Sequence, residues 1–219
     1  GRHLVANPYF HIVDTQGNQL PYISEQDEVY KNDNELRILT LVNAEADYKS
    51  QSLQLSSAPM LLEGQEKGDY TIYLKPEITL SNVSLNVTHQ DLDKRKVFGD
   101  LRFRKAMSVA INRQEINEVA LFGQGTPKQY TGFSPMPDFI DKKWESYMIQ
   151  YDPGMANSLL DQLGMKDTNG DGARELPNGK KLVINMQFAT QGIDPQIVEM
   201  VGQNWAEVGI KTTVKEVTP

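Results

Sequence analysis

Residues 182–217 read LVINMQFATQGIDPQIVEMVGQNWAEVGIKTTVKEV, and this stretch decides the fold class. Residues 182–188 alternate between apolar and polar side chains, which is typical of a strand with one buried face. Asp194-Pro195 then opens a helix as N-cap and first-turn proline, and Gly209 ends it before a second strand over residues 210–217. A strand, a helix and a strand of these lengths predict a right-handed unit with parallel strands, and therefore an α/β fold. The predicted buried positions of this unit are Leu182, Ile184, Met186, Phe188, Ile197, Val201, Trp205 and Val208.

Further helices are predicted upstream of this unit, and an aspartate at the N-cap marks the start of several. Asp33 is the predicted N-cap of a helix over residues 33–43, and Asp100 is the predicted N-cap of the helical pattern over residues 101–121. Asp152-Pro153 starts a further predicted helix, which ends at Gly164. Residues 70–74 and 81–88 have the composition of strands, and the second of these places Val83, Leu85 and Val87 on one face. The residues predicted to be buried on the helices are Leu36, Leu39, Val42, Phe103, Ala106, Met107, Ala110, Ile111, Leu159, Leu160 and Leu163.

Composition excludes several classes of protein. The chain has 219 residues, no cysteine and a net charge of −7, so disulfides and thiolate chemistry are excluded. The acidic balance opposes binding to nucleic acid or to an anionic membrane. No apolar run approaches the roughly 18 residues that a membrane span needs. The first residue is Gly1, so we interpret the sequence as a piece of a longer protein whose targeting signal lies elsewhere.

Catalytic motifs are not found in the sequence. The three histidines, His3, His11 and His89, have no spacing that would place two on one helical face as a metal-binding pair. There is no Gly-x-Ser-x-Gly elbow and no phosphate-binding loop of the Walker type. We therefore predict a binding protein rather than an enzyme, with an unrecognised hydrolase as the alternative from another class. A calcium-dependent adhesion or structural module is a third hypothesis.

The segment DTNGDGARE at residues 167–175 places oxygen-bearing side chains where an EF-hand-type calcium loop has them. The candidate ligands at positions 1, 3, 5 and 9 of such a loop are Asp167, Asn169, Asp171 and Glu175. Position 12 is Asn178 instead of the bidentate glutamate. The competing interpretation is an Asp/Asn/Gly-rich turn whose carboxylates accept backbone N–H bonds. Calcium is accordingly the one candidate cofactor, and otherwise none is expected.

Seven segments in order across nearly all of the chain resemble the family-5 extracellular solute-binding proteins of ABC importers, a group that takes peptides, nickel and oligosaccharides. Ala44 stands where the family has glycine, and Asn112 where it has aspartate. The segments are NPYFHIVDTQGNQLPYI (7–23), AEADY (44–48), SLNV (84–87) with FGDLRFRKA (98–106), AINR (110–113), 156–163, DTNGDGARELPNGKKL (167–182), and Trp205 with Gly209-Ile210.

The resemblance implies a periplasmic-binding-protein-like lobe with a mixed sheet flanked by helices. Residues 1–25 would be a lead-in from the first lobe or hinge, and residues 26–219 most of the second lobe. The implied function is extracytoplasmic capture of a small solute, most readily an oligopeptide or dipeptide, with an oligosaccharide as the alternative. The implied partners are the membrane subunits of an ABC permease. The implied state is a monomer, periplasmic or otherwise extracytoplasmic, with a lipid anchor as a further expectation for the full-length protein.

Solute contacts from this lobe are implied at three places in such proteins. In this sequence the three places are the segment after Glu45-Ala46-Asp47, the predicted polar strand at residues 81–88, and the loop after the predicted strand 182–188. The alternation of residues 81–88 supports Asn82 independently, because it sets a polar uncharged face opposite an apolar one. The candidate ligand-binding residues are Tyr48, Ser50, Gln51, Asn82, Thr190 and Gln191.

Overall fold

The computed structural model describes residues 1–51, 53–75, 81–130, 132–133, 136–189 and 193–218. Within these residues the chain forms four strands and seven α-helices. The strands are β1 (Arg2–Val5), β2 (Glu25–Glu28), β3 (Val183–Phe188) and β4 (Lys211–Glu216). The helices are α1 (Asn34–Val42), α2 (Ala58–Gly68), α3 (Leu92–Gly99), α4 (Leu101–Val109), α5 (Arg113–Ala120), α6 (Pro153–Gln162) and α7 (Pro195–Glu207). No helix among these residues is long and apolar enough to cross a membrane.

The chain divides into two compact units, Gly1–Tyr73 and Leu74–Pro219. In the first unit β1 and β2 pair antiparallel, and α1 packs against α2. Asp33 caps α1 as predicted, its side chain accepting the Leu36 N–H at 2.9 Å. The lead-in predicted for residues 1–25 refers to lobes of a longer protein and stays a prediction.

The second unit contains the β3–α7–β4 unit that residues 182–217 predicted. The two strands are parallel, with Val183 opposite Lys211 and Phe188 opposite Glu216, so the α/β class is confirmed. Gly202 lets α7 lie close to β4, because a Cβ there would come within 2.9 Å of Thr212 Oγ1. The helix is capped by Asp194, which accepts the Gln196 N–H at 2.9 Å.

The core of the second unit lies between α7 and the helices α4 to α6. Trp205 is 1% exposed, as predicted, and its indole N–H donates to the Met107 carbonyl at 3.0 Å. That carbonyl is in the last turn of α4, where no later helical residue can reach it. The buried side chains of this core include Phe103, Ala106, Ala110, Ile111, Leu160, Leu182, Ile184, Ile197, Val201, Val208 and Ile210.

A polar hub fixes the long connection between α5 and α6. The Ser108 hydroxyl donates to the Met148 carbonyl at 2.7 Å and accepts from Arg113 and Gln129 at 2.9 and 3.1 Å. Arg113 also donates to the Ser108 carbonyl at 2.7 Å, and burial lowers the pKa of its guanidinium. Gln129 in turn donates to the Tyr147 carbonyl at 2.8 Å. These bonds anchor the connection to α4 and α5.

Three local predictions are wrong. Residues 70–74 and 81–88 form no strand in the described chain, and Val83 and Val87 are 46% and 48% exposed. A segment with strand composition forms a strand only when a neighbouring strand pairs with its backbone. No strand among the described residues pairs with either segment. On α1 the buried residue is Ile38, whereas Leu36 and Leu39 are 56% and 47% exposed. The periodicity correctly predicted a helix, but it did not determine which side of that helix is buried.

Candidate functional site

The predicted ligand-binding residues divide between the two units. Tyr48, Ser50 and Gln51 follow α1 in the first unit, outside regular structure, and all three are exposed. Asn82 lies in the second unit, also exposed, where its Oδ1 accepts the Ser84 hydroxyl at 3.3 Å. A side chain with free hydrogen-bonding groups at the surface is what a solute contact requires. Their assignment to a ligand stays a prediction.

Thr190 and Gln191, the last two predicted ligand residues, lie outside the described residues. The strand that leads to them is described up to Ala189. At its end the Val217 N–H donates to the Phe188 carbonyl at 2.9 Å, which extends the pairing of β3 with β4. Both strands therefore reach their carboxyl ends at one edge of the sheet. Open parallel sheets bind ligands outside this edge.

The sheet formed by β3 and β4 has one apolar and one polar face. Asn185 and Gln187 of β3 lie beside Thr213 and Lys215 of β4 in the register, and all four are exposed. The Thr213 hydroxyl donates to Asn185 Oδ1 at 2.7 Å, which shows that these side chains share a face. The sequence pattern predicted no role for this face. The alternation over residues 182–188, which indicated the buried positions, also marks the polar ones.

The predicted calcium loop brings three carboxylates together. Oxygens of Asp167, Asp171 and Glu175 lie within 4.8 Å of one another. Each already has donors within the protein. Asp167 accepts the N–H groups of Gly170 and Gly172 at 2.7 and 2.9 Å. These are the contacts expected of the competing interpretation, a turn built on carboxylate-to-backbone bonds.

The remaining two carboxylates of this loop are also satisfied. Glu175 is 5% exposed and accepts three bonds from Thr168 and Asn169, at 2.8 to 2.9 Å. Asp171 accepts from the Lys211 ammonium at 3.1 Å, and this bond holds the pKa of the Asp171 carboxyl below its usual range. A calcium ion would have to displace these donors. The calcium assignment stays a proposal.

Arg174, whose charge would oppose a cation in this loop, points away from it. Its guanidinium donates to Asp161 at 2.6 Å, to Asn157 at 2.9 Å and to the Val208 carbonyl at 3.0 Å. These bonds tie the loop to α6 and to the end of α7. A shallow polar cavity of about 310 Å³ lies beside these groups. Because Arg174 is engaged by oxygens of the chain, the cavity offers a ligand no free guanidinium.

Comparison with known protein families gives one match over nearly the whole chain. Residues 2–219 match the family described as "Bacterial extracellular solute-binding proteins, family 5 Middle". Among curated proteins, the periplasmic alpha-galactoside-binding protein of Rhizobium meliloti is 28% identical over 91% of this chain and 31% of its own length. The glutathione-binding protein GsiB of Pectobacterium atrosepticum is 29% identical over 83% of this chain and 34% of its own.

Solved structures agree with these matches. The oligopeptide-binding protein OppA superposes with a TM-score of 0.73 and 33% identity, covering 99% of this chain and 35% of its own. The mannohexaose-bound periplasmic oligopeptide-binding protein of Thermotoga maritima gives a TM-score of 0.62 and 28% identity, over 84% of this chain and 34% of its own. The chain thus spans about a third of the length of these relatives. It belongs to the family-5 bacterial extracellular solute-binding proteins.

Proposed function

We propose that the protein captures an extracytoplasmic solute, an oligopeptide or dipeptide, and delivers it to the permease of an ABC importer. The observation that carries the proposal is the family match over residues 2–219. The 33% identity to an oligopeptide-binding protein over 99% of the chain favours the peptide class. Family members are solute-binding proteins rather than enzymes, and the mechanism proposed here has no covalent step.

The proposed mechanism is a hinge motion between an open and a closed state. A solute that contacts both lobes binds the closed state more tightly and shifts the population toward it. The permease then recognises the closed form. Tyr48, Ser50, Gln51, Asn82, Thr190 and Gln191 are proposed to supply polar contacts. Waters between these side chains and the solute would accommodate solutes of different sequence.

An oligosaccharide is the alternative solute. Two observations favour it: the relative from Rhizobium meliloti is named for binding alpha-galactosides, and the neighbour from Thermotoga maritima was solved with mannohexaose. The second protein is also named as an oligopeptide-binding protein, so names within this family do not separate the two classes of solute. The remaining proposals are a monomer outside the cytoplasm and, for the full-length protein, a lipid anchor.

Native mass spectrometry of the full-length protein, purified without denaturant, tests the proposal. We expect a co-purified ligand whose mass identifies a peptide or an oligosaccharide. Adding that ligand to stripped protein should raise the melting temperature without turnover of the ligand. Conversion of the ligand to a product would contradict solute capture and favour the hydrolase alternative. A protein with no co-purified ligand and no thermal response to peptide or oligosaccharide mixtures would also contradict it.

A further inference from the structure

The polar face of β3 and β4 carries a single charge that nothing in the described chain neutralises. Lys215 is exposed, and no carboxylate of the described residues lies within 4.0 Å of its ammonium. The next residue, Glu216, projects to the opposite side of the strand because side chains alternate. Lys211 shares the face of Lys215 but is engaged with Asp171 at 3.1 Å.

Two amide side chains lie near Lys215 on this face and can donate hydrogen bonds. Gln187 lies directly opposite in the register, and its amide is exposed. One residue earlier on each strand, Asn185 Oδ1 accepts the Thr213 hydroxyl at 2.7 Å, and the Asn185 amide still has its two N–H groups as donors. The face therefore places an ammonium, which only donates, beside two amides that can each donate through their N–H groups. Such a set matches a group that only accepts hydrogen bonds, as an ionised carboxylate does.

The position of this set in the sheet points to a solute. Gln187 and Lys215 occupy the second-last rung before the strands end at Phe188 and Glu216. Ligands of open parallel sheets bind outside that edge. We infer that Lys215, with Gln187 and Asn185 beside it, receives a carboxylate of the transported solute, so that the protein selects solutes that carry a carboxylate, such as peptides, over neutral oligosaccharides. The inference rests on the proposed function and narrows its solute class.

Two tripeptide libraries of identical sequence, one with free carboxyl termini and one amidated, test this inference in the full-length protein. Apparent affinities come from thermal-shift titrations. We expect the wild type to prefer the free acids by about tenfold, the lower range for a hydrogen bond to a charged group. Lys215→Gln should abolish this preference by weakening only the free acids, and Lys215→Arg should retain it. A merely structural role of Lys215 would weaken both libraries alike.

Lys211→Gln is the matched control, because it removes an ammonium from the same strand and face at the far end from the edge. We expect it to leave the preference for free acids unchanged. A Lys215→Gln variant that keeps the preference, or a wild type that binds both libraries equally, would overturn the inference. Binding of mannohexaose without either library would overturn it too, while solute capture would stand. Binding of none of the three probes would count against both.

Discussion

Replacement of Trp205 by phenylalanine tests the packing of the second unit. The substitution removes the indole N–H that donates to the Met107 carbonyl at 3.0 Å, in surroundings where Trp205 is 1% exposed. An unsatisfied buried carbonyl costs about 1–3 kcal/mol. The smaller ring leaves a cavity that costs about 1 kcal/mol more. We expect Trp205→Phe to lower the free energy of unfolding by about 2–4 kcal/mol.

Urea denaturation followed by circular dichroism measures this change. With a dependence of roughly 2 kcal/mol per molar urea, the midpoint should fall by roughly 1–2 M. Trp144→Phe is the matched control, since Trp144 is 50% exposed and meets its neighbour Tyr147 through a ring contact at 5.7 Å. A surface change of this kind shifts stability by at most about 0.5 kcal/mol. Equal midpoints for the two variants would refute the role assigned to the indole bond.

Three further predictions concern the predicted ligand residues, the acidic loop and the response to acid. In the full-length protein, Asn82→Leu and Gln51→Ala should each weaken solute binding by about 1–3 kcal/mol by calorimetry; unchanged affinity in both would remove these residues from the site. Calcium titrated into chelator-stripped protein should bind no more tightly than the millimolar range, because Asp171 is already paired; tighter binding that Asp171→Ala abolishes would contradict the turn. The hydrogen bond from Tyr22 holds the pKa of Asp14 well below its usual range, so its stabilisation is present above about pH 4 and is lost as the pH falls further. Melting temperatures measured across acid pH should therefore fall more steeply in the wild type than in Asp14→Asn, and parallel curves would count against this role.

Much of the second unit could be predicted from the sequence because local signals agreed with tertiary packing there. Aspartate caps predicted the starts of three of its helices, and Asp100, Asp152 and Asp194 accept the bonds expected of them. The alternation of residues 182–188 and the stripe of α7 converge on one core, so propensity and burial point the same way. In this part of the chain Trp205 was the largest predicted core residue, and it is buried.

The wrong predictions share one physical cause: each depended on contacts with residues distant in the sequence. Val83 and Val87 alternate as a strand would, but strand formation depends on a partner that no sequence window contains. On α1, the choice between Ile38 and the stripe of Leu36 depends on what packs beside the helix. The proposed carboxylate contact was harder to predict than the fold. Lys215 becomes a candidate only once the register of β3 and β4 places it beside Gln187. The carboxylates of residues 167–175 match part of a calcium-loop motif. A donor such as Lys211, which bonds to Asp171, is distant in the sequence and is not part of that motif.

The indole bond that joins α7 to α4 also has a consequence for synthesis on the ribosome. It links residues 98 positions apart, whereas the paired strands β3 and β4 are joined by the much shorter crossover that contains α7. The apolar side of α4, with Phe103 and Met107, therefore has no cover from α7 when it leaves the exit tunnel. Apolar surface left open in this way during translation favours aggregation. The nascent chain therefore exposes this apolar surface until Trp205 has emerged.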